Sequence, residues 1–155
     1  MPTPTRAANS CQKPRATPQS MVARLHSAMP AVMSHRRLRV SASASVLESM
    51  LVTGFPYNIH QQADQFVKVF AQVLKHARAI RRLGSAAIDI CWVAAGRMDG
   101  FWEASLKAWD MRAAALILEE AGGKVTGMDG KEWDPYQGHI LATNGLIHDE
   151  VFRLL

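Results

Sequence analysis

The chain has 155 residues and a mass of 17.1 kDa, the size of one domain or part of one. With 48% hydrophobic and 20% charged residues it can bury a core, yet its longest apolar runs, Ile90–Ala95 among them, are far short of the ~20 residues that span a bilayer. The formal charge of +5 is uneven: residues 1–47 hold seven Lys/Arg, no acid and no aromatic for base stacking, which argues against a nucleic-acid partner, while residues 48–155 hold eleven Lys/Arg and all thirteen Asp/Glu.

Residues 1–35 form a basic tail. Five prolines (Pro2, Pro4, Pro14, Pro18 and Pro30) and weak apolar periodicity predict disorder there. The composition also matches an organellar transit peptide, but an unstructured extension is the simpler reading. No apolar signal core follows the N-terminus, so secretion is not predicted. Cys11 and Cys91 make no Cys-x-x-Cys pair, which excludes a disulfide scaffold and a structural zinc site and points to a reducing, cytoplasmic setting.

From Val46 the character changes. Leu47–Thr53 reads as a strand ending at Gly54 and Pro56. Residues 61–76 carry Phe66, Val67, Phe70, Val73 and Leu74 at helical spacing. Ala79–Leu83 predicts a short strand, and Gly84-Ser85 opens a helix that Gly96 closes. Gly100–Ala104 predicts a strand, and a helix from Asp110 ends at Gly122-Gly123. Val125 and Ile140–Ala142 predict two more strands, and Leu146–Leu155 a final helix. Strands alternating with helices give an α/β architecture.

Three features can carry chemistry. Gly84-Ser85-Ala86 lies at a strand-to-helix junction, where small residues and free backbone N–H groups admit a phosphate or a sugar. Ser85 as a plain helix cap is the competing reading. Glu103 follows Phe101-Trp102, where a carboxylate at the rim of a core can meet a polyol hydroxyl; a surface Glu is the alternative. Asp110 is either a helix N-cap or a hard oxygen ligand for Mg2+. The six histidines show no metal-ligand spacing, and no serine-hydrolase or phosphate-loop pattern occurs. Cys91 reads as a small core residue, and Asp134-Pro135 as part of a turn.

Taken together, Leu51-Val52-Thr53-Gly54-Phe55-Pro56-Tyr57, Arg81-Arg82-Leu83-Gly84-Ser85-Ala86-Ala87, Val93-Ala94-Ala95-Gly96, Asp99-Gly100-Phe101-Trp102-Glu103, Trp109-Asp110 and Glu120-Ala121-Gly122-Gly123 resemble, in order and spacing, the C-terminal half of the inositol monophosphatase family. These are Mg2+-dependent phosphatases of inositol and other polyol or sugar phosphates. The resemblance runs from about residue 36 to the C-terminus, and residues 1–35 resemble nothing in the family. It implies the second α/β layer pair of a layered α/β/α/β/α fold. It also implies Asp110 as a metal and substrate ligand, and Gly84, Ser85, Ala86 and Glu103 as substrate contacts. It assigns no catalytic residue with comparable strength.

The sequence departs from the family in two ways. The upstream glutamate and the Asp-Pro-x-Asp-Gly-Thr motif that hold most of the metal are absent. After Trp109-Asp110, Arg112 and Ala114 stand where the family has a small residue and a glycine. A long cation there can clash, repel a metal or reach a phosphate. The expectation is a truncated member with impaired phosphatase activity. The alternative is a non-catalytic module that binds a polyol or phosphate, or pairs with itself or a full-length paralogue through an exposed sheet edge and apolar surface.

Overall fold

The computed structural model describes residues 31–33 and 36–155. An exposed two-stranded ribbon comes first: β1 (Val32–Met33) pairs antiparallel with β2 (Arg36–Arg37). No feature of the sequence predicts this ribbon. It straddles the boundary expected at residue 36, and the rest of the stretch expected to be a disordered tail lies outside the described residues.

The main body is one five-stranded sheet. Its strands are β3 (Met50–Thr53), β4 (Ala79–Arg81), β5 (Gly100–Ala104), β6 (Lys124–Thr126) and β7 (His139–Thr143), in spatial order β4-β3-β5-β7-β6. β3 runs parallel to β4 and β5, whereas β7 is antiparallel to β5 and β6. The helices are α1 (Ala63–Leu74), α2 (Ala86–Ala94), α3 (Ala108–Glu120) and the short α4 (His148–Phe152).

Period-two side chains split the core in two. Val52, Phe101, Ile140 and Ala142 point to one face and pack on Ile90 and Val93 of α2 and on Met111 and Leu118 of α3. Leu51, Trp102 and Leu141 point to the other, with Val73 of α1, Ile147 and Val151 of α4. The sheet is covered on both faces, which is why β3, β5 and β7 read as continuous apolar runs. Removing the apolar area of side chains as large as Phe101 or Leu51, both fully buried, contributes about 2–3 kcal/mol each.

Element boundaries differ from expectation where side chains bond locally. The strand expected from Leu47 begins at Met50, because Val46–Glu48 form a 3-10 turn. Ser45 accepts the Leu47 N–H, and the Ser49 hydroxyl donates to the Ser45 carbonyl. The strand expected to reach Leu83 stops at Arg81. Asp134 accepts the Tyr136 N–H at 2.9 Å and starts the turn Pro135–Gln137, so Asp134-Pro135 is structural.

Asp99 ties the entry of the domain to its core. Its carboxylate accepts the Met50 N–H at 2.7 Å and the Ser41 hydroxyl, and its carbonyl accepts the Asn144 N–H at 2.9 Å. This clamp sits at the start of β3 and β5, the end opposite the candidate site.

Candidate functional site

The parallel strands β3, β4 and β5 end on the same side of the sheet. In open α/β sheets ligands bind outside the carboxyl ends of such strands. Gly54, Arg82 and Glu103 all lie at these ends, and the N-termini of α2 and α3 follow them in sequence. Three segments far apart in the chain therefore converge.

The Gly84–Ala86 turn owes its shape to Gly84, whose φ of +97° is a left-handed backbone that costs other residues energy. Ser85 takes the extended N-cap conformation, and Ala86 begins the helix. The serine makes no side-chain cap bond, which corrects the reading of Ser85 as a hydroxyl cap. Gly84 and Ser85 are exposed, which leaves the Ser85 hydroxyl open to a ligand, whereas Ala86 is buried and the Ser85 carbonyl accepts the Asp89 N–H at 2.9 Å.

Asp110 is the third residue of α3, not its N-cap; Lys107 holds that position. The carboxylate reaches back and accepts the Lys107 backbone N–H at 2.9 Å. The helix starts earlier than expected because this capping box works from inside its first turn. Ser105, at φ 66°, turns the chain sharply after β5, and the Leu106 N–H donates to the Gly138 carbonyl at 2.9 Å. These contacts fold α3 back beside α2.

Glu103 is the hub. Its carboxylate lies over Gly54, where a Cβ would collide with it. Burial pushes its pKa up to about 7, Asp89 adds to the rise, Arg82 opposes it and Asp110 adds a smaller rise. Glu103 thus feels both α2 and α3. The Thr53 hydroxyl ties β3 to β5 beside it, donating to the Trp102 carbonyl at 2.8 Å. The Arg82 guanidinium lies 5.3 Å from the centre of the Phe55 ring, a cation–π contact. Phe55 is itself wedged against Phe66 and Phe70 of α1.

The structure therefore brings Gly84, Ser85, Ala86, Glu103 and Asp110 to one end of the sheet. Two participants escaped the sequence reading. Gly54 was legible as a strand terminator and as part of the Leu51–Tyr57 motif, but not as a partner of Glu103. Asp89 is a lone acid inside the apolar helix 86–94, and that misfit was the available signal. Arg112 stands apart: it is exposed and lines a surface groove with Lys107, Trp109 and Tyr136. Cys91 packs against the first core cluster, where burial pushes its thiol pKa up.

A metal is poorly served. Among the described residues, no three His, Cys, Asp or Glu side chains gather to hold one. Asp110 already accepts a backbone N–H, and burial raises the Glu103 pKa to about 7, which makes it a weaker anion, whereas Mg2+ needs several ionised oxygens or waters. The residues present do not fit a Mg2+ held by this chain alone.

Among the described residues no helix is long and apolar enough to cross a membrane. The family model described as "Inositol monophosphatase family" matches residues 16–155. That match begins at residue 16, which overturns the expectation that the resemblance starts at about residue 36 and that residues 1–35 resemble nothing in the family. The chain is 41% identical over 123 residues to an inositol-1-monophosphatase of Caulobacter vibrioides, covering 79% of this chain and 48% of that protein. It is 42% identical over 116 residues to the Nus factor SuhB of Pseudomonas aeruginosa, covering 74% and 43%. An inositol monophosphatase structure from Anabaena (Nostoc) superposes with a TM-score of 0.79 at 41% identity, over 83% of this chain and 51% of that one. The chain spans about half the length of the curated relatives it matches.

Proposed function

The chain belongs to the inositol monophosphatase family, and on that premise we propose that it carries the polyol-binding part of a phosphatase for inositol or related polyol phosphate monoesters. The supporting observation is the convergence of Gly84–Ala86, Glu103 and Asp110 at the carboxyl ends of three parallel strands. Carboxylates accept hydroxyl hydrogens, and the exposed turn offers a close backbone approach. A polyol phosphate presents both hydroxyls and an anion.

Hydrolysis of a phosphate monoester needs an activated water and neutralisation of charge on the phosphoryl oxygens. The family resemblance assigns that work to Mg2+. Asp110 would supply one ligand, and the remaining acids would come from another polypeptide, since residues 1–47 contain none. The chain's own part is to bind and orient the polyol, with little turnover when alone. The proposed compartment is the cytoplasm.

A second reading has its own support. β4 and β6 are the sheet edges, and Leu74, Ile88, Trp109 and Leu116 expose apolar surface. A module pairing with a second copy or a full-length paralogue would use such surfaces. Size-exclusion chromatography with and without the paralogue separates the readings: a larger complex supports pairing, and an unchanged monomer counts against it.

Titration of the isotope-labelled chain with inositol 1-phosphate tests the leading proposal. The amide resonances of Gly84–Ala86, Glu103 and Asp110 are expected to move together. Saturable shifts elsewhere, or none, would overturn it.

A further inference from the structure

Asp89 has a place that its helix does not explain. It lies on the first turn of α2, is 1% exposed and sits among Ala86, Ile90 and Val93. One side of its carboxylate is hydrogen-bonded by the Ser85 backbone N–H. The other oxygen, Oδ1, is buried and finds no donor in the chain. An unpaired buried carboxylate oxygen is costly, so a fold selected for stability alone would place an apolar residue here. Among the charged groups acting on Glu103, Asp89 is the strongest, ahead of Arg82 and Asp110. It lies three residues past Ala86 on α2, and its charge acts on Glu103 of β5.

We propose that Asp89 is a further substrate-binding residue, whose Oδ1 accepts a hydroxyl hydrogen of the polyol beside the one accepted by Glu103. Two carboxylates facing one ligand make a receptor for two neighbouring hydroxyls. Through the Ser85 N–H the same residue also fixes the turn, joining the two halves of the polyol site. This inference rests on the polyol-binding reading above.

The test is calorimetric titration of the full chain, Asp89→Asn and Asp89→Ala with inositol 1-phosphate and, separately, with inorganic phosphate. Asn retains an acceptor for the Ser85 N–H but removes the anionic oxygen, and Ala removes both. In each variant the dissociation constant for inositol 1-phosphate is expected to rise about tenfold or more, with inorganic phosphate held within twofold. Urea unfolding gives a readout that a structural role would move the other way: Asp89→Asn is expected to unfold at higher urea than the parent while binding less well. A folded variant that binds inositol 1-phosphate like the parent would overturn the proposal. Equal weakening toward both ligands would overturn it too, since Asp89 would then act only by shaping the turn. A parent chain that binds no inositol 1-phosphate would remove the polyol-binding reading itself, and this inference with it.

Discussion

The carboxylate of Glu103, in β5, lies directly over the backbone of Gly54, the residue that follows β3. Only a residue without a side chain leaves Glu103 room to sit there. The obstacle is the end of a side chain that can swing away, so Gly54→Ala is expected to cost under about 1 kcal/mol of stability. It displaces Glu103 from the polyol, so affinity for inositol 1-phosphate is expected to fall several-fold. Urea unfolding and a ligand titration of the variant check both halves, and a variant that binds like the parent would separate Glu103 from the ligand.

Asp89 links the site to stability through pH. Burial raises its pKa from an ordinary 3.8 to about 6, so the folded chain holds the proton more tightly than the unfolded one. The penalty for ionising it is absent below about pH 4, grows between pH 4 and 6, and is constant above. Asp89→Asn is therefore expected to match the parent near pH 4 and exceed it by about 1–3 kcal/mol at pH 7. Unfolding curves across that range measure the difference. Working with the difference removes the contribution of His148, which the two chains share, and leaves that of Asp89 together with its effect on Glu103.

His148 is a buried lock on the far side of the fold. Its Nδ1 lies 2.9 Å from the Thr143 hydroxyl and its Nε2 lies 3.0 Å from the Thr126 hydroxyl. Thr126 donates its own hydrogen to the Gly127 carbonyl, so Nε2 carries the imidazole proton and Nδ1 accepts from Thr143. Burial lowers the pKa to about 4, with Lys124 adding to the fall and Asp149 opposing it. The neutral ring contributes stability above pH 6.5 that is lost as pH falls toward 4. A titration of the His148 ring nitrogens by NMR is expected to show the Nε2–H form and a midpoint near 4. A midpoint near 6.5 would contradict the lock.

Much of this was legible in the sequence, and the failures share a cause. Gly100–Ala104 was recoverable to the residue, because a turn pair precedes it and the apolar run inside it is unbroken. The α2 boundaries followed from Gly84 and Gly96, both of which adopt positive φ. Composition and spacing alone left Gly84–Ala86, Glu103 and Asp110 ambiguous, and it was the motif resemblance that assigned them ligand roles. Ser45, Lys107 and Asp110 set element starts by side-chain bonds that no periodicity reveals. Asp89 and Gly54 acquire meaning only when α2, β3 and β5 meet, since no local pattern records a contact across a sheet.

Asp110 has a measurable structural role whatever else it does. Its carboxylate accepts the Lys107 N–H, one of the donors that a helix start leaves unpaired. Asp110→Ala is expected to cost about 1 kcal/mol by loss of that bond. Asp110→Asn keeps an acceptor and is expected to cost less. Thermal unfolding of both variants checks the order, and an Ala variant as stable as the parent would remove the capping role.

The central claim is that this chain holds a polyol phosphate but lacks the acids to turn it over alone. Phosphate release from inositol 1-phosphate, measured with and without Mg2+ for the chain and for Asp110→Asn, tests it most directly. The account predicts no Mg2+-dependent release above the Asp110→Asn background from a chain that circular dichroism shows to be folded. Robust Mg2+-dependent release that Asp110→Asn abolishes would contradict it and make this chain an enzyme in its own right.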